Sequence, residues 1–328
     1  MLWERQSLRF RNGAIEAPGG ATPHGASRIV LLVHGYNNDK ADADQSYAAL
    51  LANVATDVGA TAENIWRFYW PSYVERVTGR IVDDPTSVSS GRGAAGTESN
   101  SLLSMPTYPV QVLKARDVGA ALGRYLRGVH ASEALPTEII FVAHSLGCRV
   151  VLEALRELLG GRAPEAESHR VPGVCLMAAA VPTFMVRGDS RLGRAAMVPR
   201  ASYVLHSKAD MVLRFTFPAG QGAASALLRV ASPAADESEG VFPEAVGRHG
   251  NPGTTWLRRG DTGLGHSGYW THPFTAPSVL RALRGSVAHE LRLLPTLRQV
   301  AWSLPPSPEL PDWHNRDEVT PSRRRPLG

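Results

Sequence analysis

One segment of this sequence constrains the fold more than any other, because an apolar run leads directly into a serine and then into a helical pattern. Residues 139–143 are IIFVA, and Ser145 follows one position later. A run that is apolar on both faces is typical of a strand covered by helices on both sides. A serine at such a strand-to-helix turn forms a nucleophile elbow, which needs small residues two positions before and after it. Gly147 satisfies the second position, and Ala143 replaces the usual glycine at the first.

This segment is one of several alternating elements. Strand-like runs occur at 28–33, 65–70, 139–143, 174–180 and 203–205, and helical patterns at 44–58, 110–126, 146–159 and 277–294. Residues 7–11 alternate between polar and apolar, which indicates an edge strand. The alternation predicts an α/β fold with a mostly parallel central sheet and helices on both faces. The carboxyl ends of the strands then meet at one edge, where ligands bind.

Length and composition fit a globular protein. The chain has 328 residues, of which 43% are hydrophobic and 20% charged, and these values exclude collagenous, coiled-coil and disordered classes. Length alone suggests about two domains. The motifs favour a single domain over 1–303, with a Gly- and Ser-rich insert or lid at 76–107 and a Pro- and Arg-rich tail at 304–328.

The charge pattern argues against nucleic-acid binding, and the two cysteines give no sign of a disulfide framework. The net charge is +5, but the basic residues are interleaved with acidic ones, whereas nucleic-acid binding needs a clustered basic face. Cys148 and Cys175 lie in apolar runs and are predicted to be buried and free. We expect a cytoplasmic protein without membrane insertion, because neither a signal peptide nor a long apolar run is present. No metal-binding spacing occurs, and no cofactor is expected.

A second motif, His34-Gly35-Tyr36-Asn37, follows the apolar run at 28–33. Acyl transfer needs two backbone N–H groups directed at the developing oxyanion. We predict that Tyr36 supplies one of them and that Leu146, directly after Ser145, supplies the other. His34 is expected to pack in the turn rather than to act as a base.

Together these motifs resemble the α/β-hydrolase superfamily, and within it a serine-hydrolase-like branch that carries an H-G-Y-N motif. The matching residues are 34–38, 70–72 and 143–147, and the resemblance covers about residues 28–290. Most members of this branch have no assigned substrate. The resemblance implies a catalytic order of serine, then acid, then histidine.

That order leads to candidates for the acid and the base. Asp210 follows the run at 203–205 and matches the family's D-x-x-L pattern, with Asp189 as the competing candidate. His266 lies in a glycine-rich segment and matches the H-S-x-Y ending, with His272 as the alternative. His206 is expected to pack or to line the site.

The predicted activity is hydrolysis of a small carboxylic ester by Ser145, Asp210 and His266 through an acyl-enzyme. Acyl transfer or amide cleavage by the same residues is one alternative, and a binding protein with an inactive site is another. A non-catalytic strand-turn-helix also remains possible for the elbow taken alone. The sequence leaves the oligomeric state open.

The predicted substrate-binding residues are His34, Gly35, Asn37, Trp70, His144 and Tyr269, and Met105 is a further pocket candidate.

Overall fold

The structure is a computed structural model that describes part of the chain. The described residues are 6–17, 28–54, 65–73, 105–132, 138–231, 242–250, 257–258, 261–273, 275 and 279. The chain divides into two units, residues 1–286 and 287–328, and every described residue belongs to the first. Most of the predicted insert, the predicted helix at 277–294 except residue 279, and the tail lie outside the described residues, so the domain boundaries stay a prediction.

The described residues form one eight-stranded sheet with the order β2-β1-β4-β3-β5-β6-β7-β8. The strands are β1 Ser7–Arg11, β2 Ala14–Glu16, β3 Arg28–Val33, β4 Ile65–Tyr69, β5 Glu138–His144, β6 Gly173–Met177, β7 Ser202–Leu205 and β8 Leu257–Arg258. All neighbouring pairs are parallel except β1 and β2. The predicted α/β class with a mostly parallel sheet is therefore confirmed. Asn12 and Gly13, both with positive φ, form the tight turn that makes β1 and β2 a hairpin.

Helices flank the sheet. They are α1 Lys40–Val54, α2 Tyr108–Ser132, α3 Leu146–Leu159, α4 Pro164–Ser168, α5 Gly193–Ala196, α6 Phe217–Ala231 and α7 Val246–His249. The prediction for 146–159 is confirmed in full, and α2 extends beyond the predicted 110–126. Helix α1 begins four residues before the predicted start at residue 44. The reason is a reciprocal cap in which Asp42 N–H donates to Asp39 Oδ1 over 2.9 Å and Asp39 N–H donates to Asp42 Oδ2 over 3.3 Å.

The predicted strand over 174–180 was too long. Strand β6 ends at Met177, and Ala178 leaves the sheet with a φ of 45°. The following apolar residues are buried because another segment covers them: Gly247 N–H donates to Ala179 O, and Val246 N–H donates to Val181 O, each over 2.9 Å. The apolar run therefore reflects burial beneath a loop rather than strand structure.

The sheet edge at the carboxyl ends of the parallel strands brings the motifs together. His34 follows β3, Trp70 follows β4, Ser145 follows β5 and His206 follows β7. Cys148 and Cys175 are free and buried, as predicted. In the described ranges no helix is long and apolar enough to cross a bilayer.

Candidate active site

Ser145 occupies a strained turn between β5 and α3. Its φ is 52°, a value that residues other than glycine rarely adopt unless the surrounding structure imposes it. Its N–H donates to Met177 O over 2.9 Å, and its carbonyl accepts from Ala180 N–H and Cys148 N–H, each over 3.1 Å. Backbone hydrogen bonds to β6 and to α3 thus hold Ser145 in this conformation.

Glycines allow the two motifs to pack backbone against backbone. A Cβ atom added to Gly147 would lie 2.3 Å from His34 O and 2.8 Å from Val33 O. A Cβ atom added to Gly35 would lie 2.8 Å from the Cβ of Ser145. Both positions need glycine, because any side chain there would push the H-G-Y-N turn away from the serine.

Ser145, His266 and Asp210 lie in one hydrogen-bonded series. The Ser145 Oγ is 2.8 Å from His266 Nε2, and His266 Nδ1 is 2.8 Å from Asp210 Oδ2. The Asp210 carboxylate is fully buried, and its other oxygen accepts from Leu213 N–H over 2.9 Å. The alternatives Asp189 and His272 are not part of this series, and Asp189 is exposed.

Residues 261–273, which we call the histidine loop, carry His266 from β8 back to the sheet edge. Thr262 fastens this loop to the residue that follows β7, because its N–H and its hydroxyl both donate to His206 O over 2.9 Å. Trp270 packs its ring edge-on against Tyr47 at 5.5 Å. Tyr269 is fully buried, and its hydroxyl lies 3.3 Å from the Thr262 hydroxyl. The imidazole of His266 is therefore carried on a loop anchored at both ends.

His144 joins the elbow to the histidine loop. Its Nε2–H donates to the main-chain carbonyl of His266 over 2.7 Å, and the two rings lie 5.1 Å apart. Burial, together with repulsion from His266, lowers the pKa of His144 to about 3, so this ring is neutral at physiological pH. A Cβ atom added to Gly35 would lie 3.0 Å from its Nδ1, which leaves little space on that side.

His34 and Trp70 pack beneath the H-G-Y-N turn. Their rings stack 5.7 Å apart, Trp70 N–H donates to His34 Nε2 over 3.3 Å, and Trp70 Nε1–H donates to His34 O over 3.0 Å. Burial lowers the pKa of His34 to about 4. Both side chains are packing groups, as expected for His34. Trp70 and Tyr269 are fully buried, and the predicted contact of these two residues and of His34 with substrate stays a prediction.

The predicted oxyanion groups belong to Leu146, directly after Ser145, and to Tyr36, directly after Gly35, which packs against Ser145. Leu146 is the first residue of α3, so its N–H has no acceptor within the helix and lies at the positive end of the helix dipole. Asn37 N–H donates to Ser72 O over 2.8 Å, which fixes the turn that contains Tyr36. The Tyr36 ring packs edge-on against Tyr108 at 5.4 Å. The role of the two amides stays a prediction.

Sequence reasoning missed Tyr47, which supports the H-G-Y-N turn from α1. Its hydroxyl accepts from His34 N–H over 2.8 Å and donates to Phe68 O over 2.9 Å. The side chain is fully buried. The sequence around Tyr47 does not indicate this role, because the role depends on the backbones of His34 and Phe68, which are distant in sequence, meeting at the hydroxyl.

This arrangement fits acyl transfer. A serine hydroxyl that donates to an imidazole, itself held by a buried carboxylate, can lose its proton as it attacks a carbonyl carbon. A helix N-terminus beside the serine favours the oxyanion that forms. In the part of the chain that the structure describes, no group of three or more histidine, cysteine or acidic side chains has the arrangement of a metal site.

Comparison with known proteins gives one family. A family model described as an alpha/beta hydrolase of unknown function (DUF900) matches residues 22–216. The match contains the H-G-Y-N turn, Ser145 and Asp210, and it ends before His266. No curated protein matches the chain.

Proposed function

The chain belongs to the DUF900 family of α/β hydrolases of unknown function, and from this premise we propose that it is a serine hydrolase that cleaves carboxylic esters. The observation that supports the proposal best is the pair of 2.8 Å contacts that link Ser145 to His266 and His266 to Asp210. In this proposal Ser145 is the nucleophile, His266 the general base and acid, and Asp210 the group that orients the imidazole.

In the first half-reaction Ser145 Oγ attacks the ester carbonyl carbon, and its proton passes to His266 Nε2. The carbonyl oxygen becomes an oxyanion that the Leu146 and Tyr36 amides stabilise. The bond to the alkoxide then breaks, and the alcohol leaves with the proton from the His266 imidazolium. Asp210 accepts the Nδ1–H bond throughout and stabilises the charged ring.

In the second half-reaction water replaces the alcohol. His266 removes a proton from water, the resulting hydroxide adds to the acyl carbon, and the oxyanion forms again in the same place. The bond to Ser145 Oγ then breaks, and Oγ regains its proton from His266. The products are one alcohol and one carboxylic acid, and the protein returns to its starting state.

Fold and geometry do not choose the leaving group or the acceptor. Acyl transfer or amide cleavage by the same residues is therefore the second proposal. A short-chain ester with an activated alcohol is still the sharpest first substrate, because acylation by any of these activities releases a coloured phenol.

The test is hydrolysis of p-nitrophenyl acetate and butyrate by the wild type, by Ser145→Ala and by Ser168→Ala, a serine away from the site. A fluorophosphonate probe, located by peptide mass, reports the nucleophile directly. The proposal expects turnover and labelling at Ser145 in the wild type and in Ser168→Ala, and neither in Ser145→Ala. Absence of both in the folded wild type would overturn it.

A further inference from the structure

Helices α2 and α6 meet closely beside the H-G-Y-N turn. A Cβ atom added to Gly220 would lie 2.2 Å from Cδ1 of Tyr108, so the tyrosine ring lies directly on the backbone of α6. We call the region of Tyr108, Gln111, Gly220 and Gln221 the α2–α6 junction. Only a residue without a side chain at position 220 permits this approach.

Two glutamines of this junction are buried without hydrogen-bond partners. Gln111 and Gln221 both have no exposed surface, and neither the oxygen nor the nitrogen of either amide has a partner among the described residues. Native proteins satisfy the large majority of buried polar groups, because an unsatisfied amide loses its bonds to water and gains nothing. The four unpaired amide atoms therefore need hydrogen-bond partners that the described residues do not supply.

Helical geometry places both glutamines at the junction. Gln111 comes three residues after Tyr108, so the two share a face of α2. Gln221 belongs to the buried stripe of α6 that includes Phe217, Gly220 and Ala224. The stripe is the face that α6 turns toward the protein, and Tyr108 contacts it at Gly220.

The junction is connected to the candidate site at two points. Gly35 packs against Ser145, and the next residue, Tyr36, reaches α2: its ring packs on Tyr108 and its hydroxyl lies 2.8 Å from Thr107 Oγ1. The helical segment that contains Gln221 begins just after Asp210. Gln221 comes eleven residues after Asp210 in this segment, so the junction is connected to the candidate site at both Tyr36 and Asp210.

We propose that the α2–α6 junction forms the distal end of the acyl pocket and that Gln111 and Gln221 bind a neutral hydrogen-bonding group of the acyl chain there. This inference rests on the proposed function. An amide both donates and accepts, so an amide or hydroxyl on the substrate fits it. A charged group does not, because neither glutamine pairs with a charged side chain among the described residues and burying an unpaired charge is costly.

The first experiment compares matched acyl chains. One series consists of p-nitrophenyl ω-acetamidoacyl esters with spacers of two to five methylenes, and the other consists of their branched-alkyl isosteres, such as the 6-acetamidohexanoyl and 8-methylnonanoyl pair. The wild type should favour the acetamido ester of one spacer length by about tenfold or more in kcat/KM. Gln111→Leu and Gln221→Leu should abolish that preference, because kcat/KM should fall for the acetamido ester without a parallel fall for its isostere.

A second measurement does not need catalysis. N-hexylacetamide should raise the Tm of the wild type and of Ser145→Ala, and it should not raise the Tm of Gln111→Leu or Gln221→Leu. Without ligand both leucine variants should melt higher than the wild type, because each removes an unsatisfied buried amide. Gln45→Leu, a change of an exposed glutamine on α1, is the matched control and should alter neither ligand response nor ester preference.

The outcomes separate the two proposals. If no ester is hydrolysed but N-hexylacetamide stabilises the wild type and not the leucine variants, the ester-hydrolase proposal fails and the binding site remains. If both ester series are hydrolysed equally and the amide stabilises nothing, the serine hydrolase remains and the polar junction is overturned. Leucine variants that lower kcat/KM equally for both series would also overturn it, because that result indicates a packing role.

Discussion

The Nε2–H of His144 donates a hydrogen bond to the main-chain carbonyl of His266 over 2.7 Å, so the residue before the candidate nucleophile holds the backbone of the candidate base. This bond spans the gap between β5 and the histidine loop. We propose that His144 is a positioning residue. Replacing it by leucine should lower kcat for p-nitrophenyl butyrate by about ten- to a hundredfold, with KM within about twofold, because small displacements of a reacting group cost this much.

His144→Gln is the control for this prediction. The glutamine Nε2 can donate to the same carbonyl, so it should restore most of the kcat that leucine loses. The second-order rate of fluorophosphonate labelling at Ser145 should follow the same order. A leucine variant with the wild-type labelling rate, or a glutamine variant as slow as leucine, would show that the hydrogen bond does not position His266.

The buried carboxylate of Asp210 should be essential for acylation. Asp210→Asn keeps the size of the side chain and removes the charge that orients and stabilises the imidazole. We expect kcat to fall by about 10⁴-fold while KM stays similar, which is the size of effect that such a change has in serine proteases. Stopped-flow release of p-nitrophenol measures the acylation step directly.

Asp189→Asn is the matched control, since Asp189 was the competing acid and is exposed. It should keep wild-type kcat and KM. An inactive Asp189→Asn beside an active Asp210→Asn would transfer the acid role to Asp189 and would contradict the observed hydrogen-bonded series.

The parts of the fold that follow from local patterns could be predicted from the sequence. Strand β5, the turn at Ser145 and helix α3 form one continuous signal, because burial on both faces and the glycine at 147 act within nine residues. Helix α6 was missed, since its Pro218, Gly220 and Gly222 weaken a helical pattern that tertiary packing restores.

The candidate site divides in the same way. Asp210 and His266 were selected by their order along the chain. In the structure His266 lies 2.8 Å from Asp210 on one side of its ring and 2.8 Å from Ser145 on the other. The bond from His144 to the His266 carbonyl and the burial of Gln111 could not be predicted, because both depend on segments far apart in sequence. Trp70 was predicted to bind substrate because it is an aromatic residue at the end of a strand. The same pattern is compatible with packing in the core.

Two glycines offer a prediction about the elbow. Gly147→Ala should lower the free energy of unfolding by about 1–3 kcal/mol and reduce Ser145 labelling, because overpacking forces the backbone to move and the new methyl group would meet His34 O at 2.3 Å. Gly128→Ala, on α2, is the control. An added Cβ there meets nothing within 4 Å, so it should raise the free energy of unfolding by about 0.5–1 kcal/mol. Urea unfolding measures both, and equal effects at the two positions would contradict the packing argument.

The free energy of unfolding should decrease as the pH is lowered below about 6.5, because two histidines are buried. Burial lowers the pKa of His34 to about 4 and that of His144 to about 3, from 6.5 in the unfolded chain. Between pH 6.5 and 4 the unfolded chain therefore binds more protons than the folded one, and the free energy of unfolding rises with pH. Each histidine contributes up to about 1.4 kcal/mol per pH unit in this window, and its contribution is complete above pH 6.5.

Urea unfolding at pH 7.5, 6.0 and 5.0 measures this dependence. His144→Gln keeps the hydrogen-bond donor and cannot be protonated, so it should reduce the histidine-dependent slope. His169→Gln changes an exposed histidine and should leave the slope unchanged. A wild type equally stable at pH 7.5 and 5.0, or equal slopes in the wild type and His144→Gln, would mean that His144 is protonated in the folded protein. That result would contradict the lowered pKa of His144.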